Sequence, residues 1–537
     1  RRLYGIPTAR GVLGEALPTL DAVLEALHAR YPGIRDRLCE PDGTLREYIH
    51  VFVDACDLGR DPAAIEVPDG AEVTVVPSIA GGGVAVDEAL RARIDAELPQ
   101  TIEDLRRLVR IPSVAAQRQG IPDTVRAVGD LLRGAGGRVT VLEHAGANPV
   151  VVGEFEGRSP RTLLFYDHYD VQPAEPLDEW TVPPFDVTQR DEKLFGRGVA
   201  DNKGDLMTRI AAIRSLRAVR GGLPCRVKFL IEGEEEISSP HLGAITRAHT
   251  DLLKADACIW EYGERDSRER KHIVCGMKGI CYLQLEAKTA AVDLHSSLGA
   301  VFEGAAFRLV WALSTFKDQN GRVQIPGHYD RVRRPTPAEE EVIRQIPPDV
   351  VEDVQKQVGV ARTIGGVGGP EAVRQLLLTP TCTICGIWGG YTLEGSKTVL
   401  PKVARAKVDF RLVPDQDPHE VAQNVRRHLD AGGFGDIEVT VLGAEHPWRT
   451  NLADPFVGLV RDCVKEATGR EVLVYPTSAG TGPAHDVGPV LGIPLVSAGS
   501  GYWNARAHAP DENVRASDFR ETILLMAHIL ERFGRIS

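Results

Sequence analysis

The chain has 537 residues, 43% of them hydrophobic and 26% charged, the make-up of a globular protein too long for one ordinary domain. Its net charge of −12 and its pI near 5.7 exclude the basic surface that nucleic acid or an anionic membrane would need. No apolar run reaches the roughly 18 residues of a membrane span, the N-terminus has no signal-peptide core, and nine scattered cysteines suit a reducing cytoplasm rather than a disulfide framework.

Residues 1–83 read as a unit of their own. Thr19 caps a helical pattern, TLDAVLEALHARYPG (19–33), that puts Leu20, Val23, Leu24 and Leu27 on one face. YIHVFVDA (48–55) alternates Ile49, Val51 and Val53 as a strand does, AEVTVVPS (71–78) repeats the pattern, and the unit closes on glycines 81–83. A polar helix at 86–98 follows as a link. From about 101, amphipathic helices at 101–109, 126–135 and 205–219 alternate with apolar strand runs, the signature of a doubly wound α/β sheet.

The texture changes between 279 and 446. A strand pattern at 280–289 leads into an acidic, Pro-rich helical region (333–357), and further strands follow at 381–390, 404–414 and 436–443. Candidate ligands lie on both sides of this stretch. It is therefore expected to be an insertion, leaving 84–278 and 447–537 as the two parts of a catalytic domain. Cys382 and Cys385 form a C-x-x-C with no second pair and read as two strand residues. GGVGG (365–369) is a flexible loop, too weak a signal for a phosphate cradle.

The chemistry lies in five segments, each read as a buried strand handing over to a polar or Gly-rich turn. They are LLFYDHYDV with His168, GRGVADNKGD with Asp201, KFLIEGEEEISS with Glu235 and Glu236, ACIWEYGE with Glu261, and IPLVSAGSGYWNARAHAP with His508. Ligands collect at the carboxyl ends of strands in open α/β sheets. Two His and at least three carboxylates gathered there make a dinuclear metal site, with zinc favoured by the donor set. Asp201, in a Gly-flanked turn, is the natural bridge between two ions. Asp170, two residues past His168, shares its face in an extended strand and can take the imidazole's second N–H. Three adjacent carboxylates, Glu234 to Glu236, are costly in one turn unless cations neutralise them. Singly each feature has an ordinary reading as a structural His or a solvated acidic face; their joint placement points to metal.

Together these segments resemble the carnosinase-like metallopeptidases, a family that includes carboxypeptidase G, the succinyl-diaminopimelate desuccinylases, acetylornithine deacetylases and aminoacylases. The resemblance spans about residues 86–537 and is strongest in YDHYDVQPAEPLDEWTVPPFDV (166–187) and LFGRGVADNKGDL (194–206). It implies a doubly wound zinc-exopeptidase domain with an inserted α+β dimerisation lid, a homodimer, and two Zn2+ per chain, with Mn2+ or Co2+ as substitutes. His168 and Glu261 would complete one ion, Glu236 and His508 the other, with Asp201 bridging. Glu235 would be the general base and Asp170 the partner that orients His168. His295, in DLHSSLG (293–299), matches a histidine that reaches into the partner's active site, and Arg411, in FRLVP (410–414), an arginine that grips a substrate carboxylate. HPW (446–448) and AGTG (479–482) match substrate-side segments, which brings in His446, Gly480 and Thr481. Asp167 stands where relatives usually have Gly, and Asn202 where many have Asp. Glu261 stands where the dipeptidases have Asp and the carboxypeptidases and deacylases Glu, so a small peptide and an N-acyl amino acid both remain open as substrate.

The first 83 residues resemble a second family, the β-grasp sulfur carriers such as the molybdopterin-synthase small subunit. ARYPG (29–33), LREYIHVFVD (45–54), GAEVTVVPSIAGG (70–82) and the closing glycines carry that likeness, with the first strand of the fold truncated. The main expectation is a cytoplasmic dizinc amide-bond hydrolase with a fused β-grasp module. The alternative is a processing enzyme that removes aminoacyl groups from the tail of a β-grasp carrier protein.

Overall fold

The computed structural model describes residues 19–30, 34–40, 43–45, 49–53, 56–57, 67, 73–77 and 88–536. The chain divides into two compact units, residues 1–91 and 92–537. In the first, the helix Leu20–Arg30 buries the four predicted side chains, Leu20, Val23, Leu24 and Leu27. Thr19 caps it by accepting from the Ala22 amide at 3.3 Å. Arg35 ties the next short helix back to Asp21 and Glu25 at 2.6 and 2.9 Å. The strand Ile49–Val53 lies between Cys56–Asp57 and Val73–Pro77, antiparallel to both. The expected glycine run 81–83 and the truncated first strand fall outside the described residues.

The helix Glu88–Val109 corrects one expectation, for the sequence pattern ends a helix at 98 and starts another at 101. Pro99 sits inside a continuous helix. The proline removes one backbone hydrogen bond, but Ile94, Thr101, Leu105 and Leu108 continue one buried stripe across it. Thr101 also donates its hydroxyl to the Glu97 carbonyl at 3.1 Å. Burial of a continuous face outweighs the local breaker.

An eight-stranded mixed sheet forms the centre of the second unit. Its order is Val472–Tyr475, Lys271–Val274, Leu495–Ser497, Ala257–Trp260, Gly157–His168, Leu223–Glu232, Val150–Phe155 and Arg138–Leu142. The four strands from Leu495–Ser497 to Leu223–Glu232 are mutually parallel, so Ser497, Trp260, His168 and Glu232 end at the same edge. Helices cover both faces, as the predicted doubly wound fold requires. Lys203–Arg220 and Ala516–Phe533 pack on one another and on the central strands. Leu242, Ile245, Ala484 and Val487 cover Leu164, Tyr166, Leu230 and Trp260. Tyr166 stacks on Trp260 with ring centroids 3.6 Å apart. No described helix is long and apolar enough to cross a membrane.

Residues 279–445 build a separate antiparallel sheet in the order Thr383–Gly389, Val403–Leu412, Gly279–Lys288, Glu438–Glu445. Gly279–Lys288 alternates buried and half-buried residues. Its inner face packs Leu283 and Leu285 with Leu309, Val408, Phe410 and Val425. Cys385 lies on the edge strand and Cys382 just before it, both with free thiols.

Candidate metal centre

His168, the last residue of its strand, is fully buried. Glu261 immediately follows the strand Ala257–Trp260, and Glu235 and Glu236 follow Leu223–Glu232 in a 3-10 turn. A 3-10 turn rotates successive side chains by about 120°, which splits the acidic run. Glu234 turns away to His241 at 2.7 Å and the Asn148 amide at 2.9 Å, whereas Glu236 takes Gln172 at 2.8 Å.

Asp201 departs from the strand-end expectation. It follows no strand of the main sheet but a turn between the short strand Lys193–Phe195 and the helix Lys203–Arg220. A Cβ on Gly204 would run into the Val199 carbonyl, so this turn depends on a glycine there. His508 sits on a loop that follows Leu495–Ser497 and is exposed.

The two carboxylate oxygens of Asp201 divide the cluster. Oδ1 lies 3.0 Å from His168 Nε2, which is also 3.3 Å from Glu261 Oε2. Oδ2 lies 3.0 Å from His508 Nε2, itself 3.1 Å from Glu236 Oε2. Asp170 faces His168 Nδ1 at 3.4 Å through its carboxylate and at 3.0 Å through its carbonyl. The same carboxylate accepts the amides of Glu235 and Glu236 at 3.3 and 3.0 Å. One buried aspartate thus orients a ligand on one strand and the acidic turn on the next.

The electrostatics call for cations. Burial, followed by the charge of Glu261, pushes Glu235 well above the carboxylate range, and burial does the same to Glu261. Asp201 and then Glu236 push His508 up to about 10. Burial opposes the charge on His168, yet Glu261 and the hydrogen bonds to Asp170 and Asp201 hold it protonated. These imidazolium protons stand where cations would, and Glu261 Oε2 is a buried acceptor without a hydrogen bond. Among the described residues, His168, Asp201 and Glu236 form a group whose ligand atoms lie within 4.8 Å of one another. The donor set therefore fits two divalent ions.

The substrate-side residues assemble in part. Arg411 donates to Thr481 Oγ1 at 2.7 Å and to Asp409 at 3.0 Å, and the Lys278 amide donates to the Gly480 carbonyl at 3.0 Å. His446 stacks on His485 at 4.6 Å. Its neighbour Glu445, raised to about 7 first by burial, bonds to Ser238 beside the acidic turn. His295 is exposed and bonded to Ser297 in its own turn at 2.8 Å, not to any member of the cluster.

Sequence reasoning missed the supports beneath the ligands. Asp167, noted only as a departure from Gly, is fully buried and pairs with Arg209 at 2.6 Å. Arg209 also donates to the carbonyls of Tyr166 and Trp260, just before two of the ligands. Glu232 is buried, raised to about 8 chiefly by burial, and holds Tyr166 at 2.5 Å and Ser239 at 2.9 Å. Lone charged residues inside apolar runs were the available signal.

Parallel strand ends, a carboxylate shared by two imidazoles and a buried acid beside them define a metal-dependent hydrolase. Residues 164–532 match the model of peptidase family M20/M25/M40. The chain is 30% identical over 390 residues to the Beta-Ala-His dipeptidase of Rattus norvegicus, covering 68% of this chain and 79% of the relative. It is 29% identical to the Cys-Gly metallodipeptidase dug1 of Schizosaccharomyces pombe, covering 63% and 74%. Among solved structures, it resembles the M20 family metallo-carboxypeptidase Sso-CP2 from Sulfolobus solfataricus at 37% identity and a TM-score of 0.77, covering 81% and 99%. It also resembles human carnosine dipeptidase 1 at 26% identity and 0.71, covering 84% and 100%. The chain belongs to peptidase family M20/M25/M40 and is a metallopeptidase that hydrolyses peptide bonds of small substrates.

Proposed function

We propose that the protein is a homodimeric exopeptidase, dizinc in its native form, for small peptides or N-acyl amino acids that end in a free carboxylate. The observation that carries this reading is the division of the cluster by the two oxygens of Asp201, one imidazole and one glutamate on each side. Ions bound there would supply Lewis acidity toward the scissile carbonyl and lower the pKa of water. Glu235 takes the proton from the attacking water and returns it to the leaving amine; its buried carboxylate beside the cluster, with a raised pKa, suits that shuttle. Asp170 holds His168 and the Glu235 amide in register. Arg411, braced by Asp409 and Thr481, fits a carboxylate grip. His446, Gly480 and Thr481 line the substrate side.

His295 acts on the partner's substrate, stabilising the oxyanion across the dimer. Its exposure supports this, as do the exposed Phe307, Trp311, Ile387 and Trp388 on the same 279–446 segment. That segment is the inserted dimerisation lid, and 84–278 with 447–537 the catalytic domain. Glu261 and the likeness to a metallo-carboxypeptidase favour carboxylate-terminated substrates. The helix and antiparallel strands of the first unit support a β-grasp module. The dipeptidase relatives do not support the carrier-processing alternative, and the family match begins only at residue 164. The buried thiols of Cys225, Cys258, Cys275, Cys281, Cys382 and Cys463 suit a reducing cytoplasm.

The test is a panel of dipeptides and N-acyl amino acids, each with its C-terminal amide counterpart. Chelation should abolish turnover and zinc restore it. Amidation should cost roughly two powers of ten in kcat/KM, the scale of losing a charge-assisted grip. Equal rates on acids and amides would remove the role given to Arg411.

A further inference from the structure

Glu512, four residues beyond His508, is fully buried and belongs to none of the ligand contacts. Its Oε1 accepts the amides of Gly198, Ala200 and Asp201 at 3.1, 2.9 and 3.0 Å. Its Oε2 accepts Arg197 Nη1 at 2.8 Å and also the Gly198 amide at 3.0 Å. Arg197, equally buried, donates its other terminal nitrogen to the Pro173 carbonyl at 3.1 Å, on the loop that follows His168. One ion pair therefore joins the loop after His168, the turn that carries Asp201 and the loop that carries His508. The last of these needs a clamp. Arg506, His508 and Asp511 all have left-handed φ, at 57°, 63° and 58°, a conformation that non-glycine residues keep only where their surroundings impose it.

We infer that Arg197–Glu512 is a positioning pair that sets His508 against Asp201 and so governs how tightly the ion on that side is held. This rests on the reading of the cluster as a dinuclear metal centre. Neither residue touches substrate. Their effect passes through the backbone of Asp201 and the loop of His508, as outer supports of metal ligands do. His168 and Glu261 are held independently, by Asp170 and by Arg209. The pair thus bears on the ion beside His508 through both Asp201 and His508, and on the other ion only through the shared Asp201, so the first is the more dependent on it.

The experiment measures stepwise zinc affinities by chelator competition, together with the thermal midpoint of the zinc-free protein, for wild type, Glu512→Gln and Arg197→Lys. Wild type binding fewer than two ions would overturn the metal reading itself, separately from this inference. Given two ions, Glu512→Gln should weaken one of them about 10- to 100-fold, weaken the other distinctly less, and regain turnover at saturating zinc. The loss should persist in a His168→Ala background and shrink in a His508→Ala background, where the loop no longer carries a ligand and only the support of Asp201 remains. Unchanged affinities with a lower thermal midpoint would make the pair merely structural and overturn the inference, as would equal weakening of both ions. If Glu512→Gln fails to fold, Arg197→Lys, which keeps the charge but loses the fork to Pro173, takes its place. Selective weakening of one ion in that variant supports the inference, and unchanged or equally weakened affinities overturn it.

Discussion

At the scale of single residues, two neighbouring carboxylates are expected to behave differently because a 3-10 turn aims them apart. Glu236 lies 3.1 Å from His508, whereas Glu235 faces the cluster without a contact of that kind. Glu235→Gln should keep both ions and lose roughly two to four powers of ten in kcat, the scale of removing a general base. Metal analysis alongside single-turnover rates checks this, and an emptied site in Glu235→Gln would exchange the two assignments. Asp201 is the one side chain shared by both halves, so Asp201→Ala should lose both ions while His508→Ala loses one. Counting bound zinc per chain in the two variants decides it. The residues of the candidate centre were legible in the sequence because His and carboxylates directly after apolar runs are a local pattern. Arg209 and Glu512 were not, for their partners, backbone groups together with Asp167 and Arg197, lie on segments far away in the chain.

Among elements, the strand Gly279–Lys288 follows its alternation closely, and the misjudged boundaries had tertiary causes. The break expected near Pro99 disappears because a buried stripe runs through it, and the strand expected before Asp201 proves to be the middle strand of a small three-stranded sheet outside the main one. The sheet of 279–445 contains a titration of its own. His328 is buried against Phe410 and Tyr329, and burial lowers its pKa to about 4. It folds neutral, whereas the unfolded chain protonates it near 6.5. Below that value the unfolded state binds the extra proton, so stability falls as pH drops from about 6.5 toward 4. Between pH 7 and 5 the loss should approach about 2 kcal/mol from this residue. His328→Leu should flatten the slope by that amount in denaturant midpoints compared at the two pH values; an unchanged slope would show that His328 is protonated in the fold.

For the whole molecule, the role proposed for His295 predicts shared active sites. Chains carrying Glu235→Ala and chains carrying His295→Ala should each be inactive as homodimers. After exchange, half the dimers are mixed and each holds one complete site, so about a quarter of wild-type activity should return. No recovery despite mixed dimers confirmed by mass would refute action across the interface. The first unit is compact by itself, and the family match lies wholly within the second. Deleting residues 1–83 should therefore leave kcat/KM on small peptides within about twofold, as expected for separable domains. A collapse of small-peptide turnover in a folded truncation would assign the first unit a part in the site.

By itself the sequence determined the class of the fold, the five segments that meet at the candidate metal centre and the order in which the chain supplies them. Hydrophobic periodicity and residue type are local properties, and each of those conclusions needed only a few neighbouring residues. Tertiary structure decided how the ligands pair on Asp201, which glutamate of the run faces the cluster, and which buried charges support it. Those outcomes depend on strands and loops hundreds of residues apart arriving at one sheet edge. There the cost of burying a charge, which no local pattern records, selects its partner.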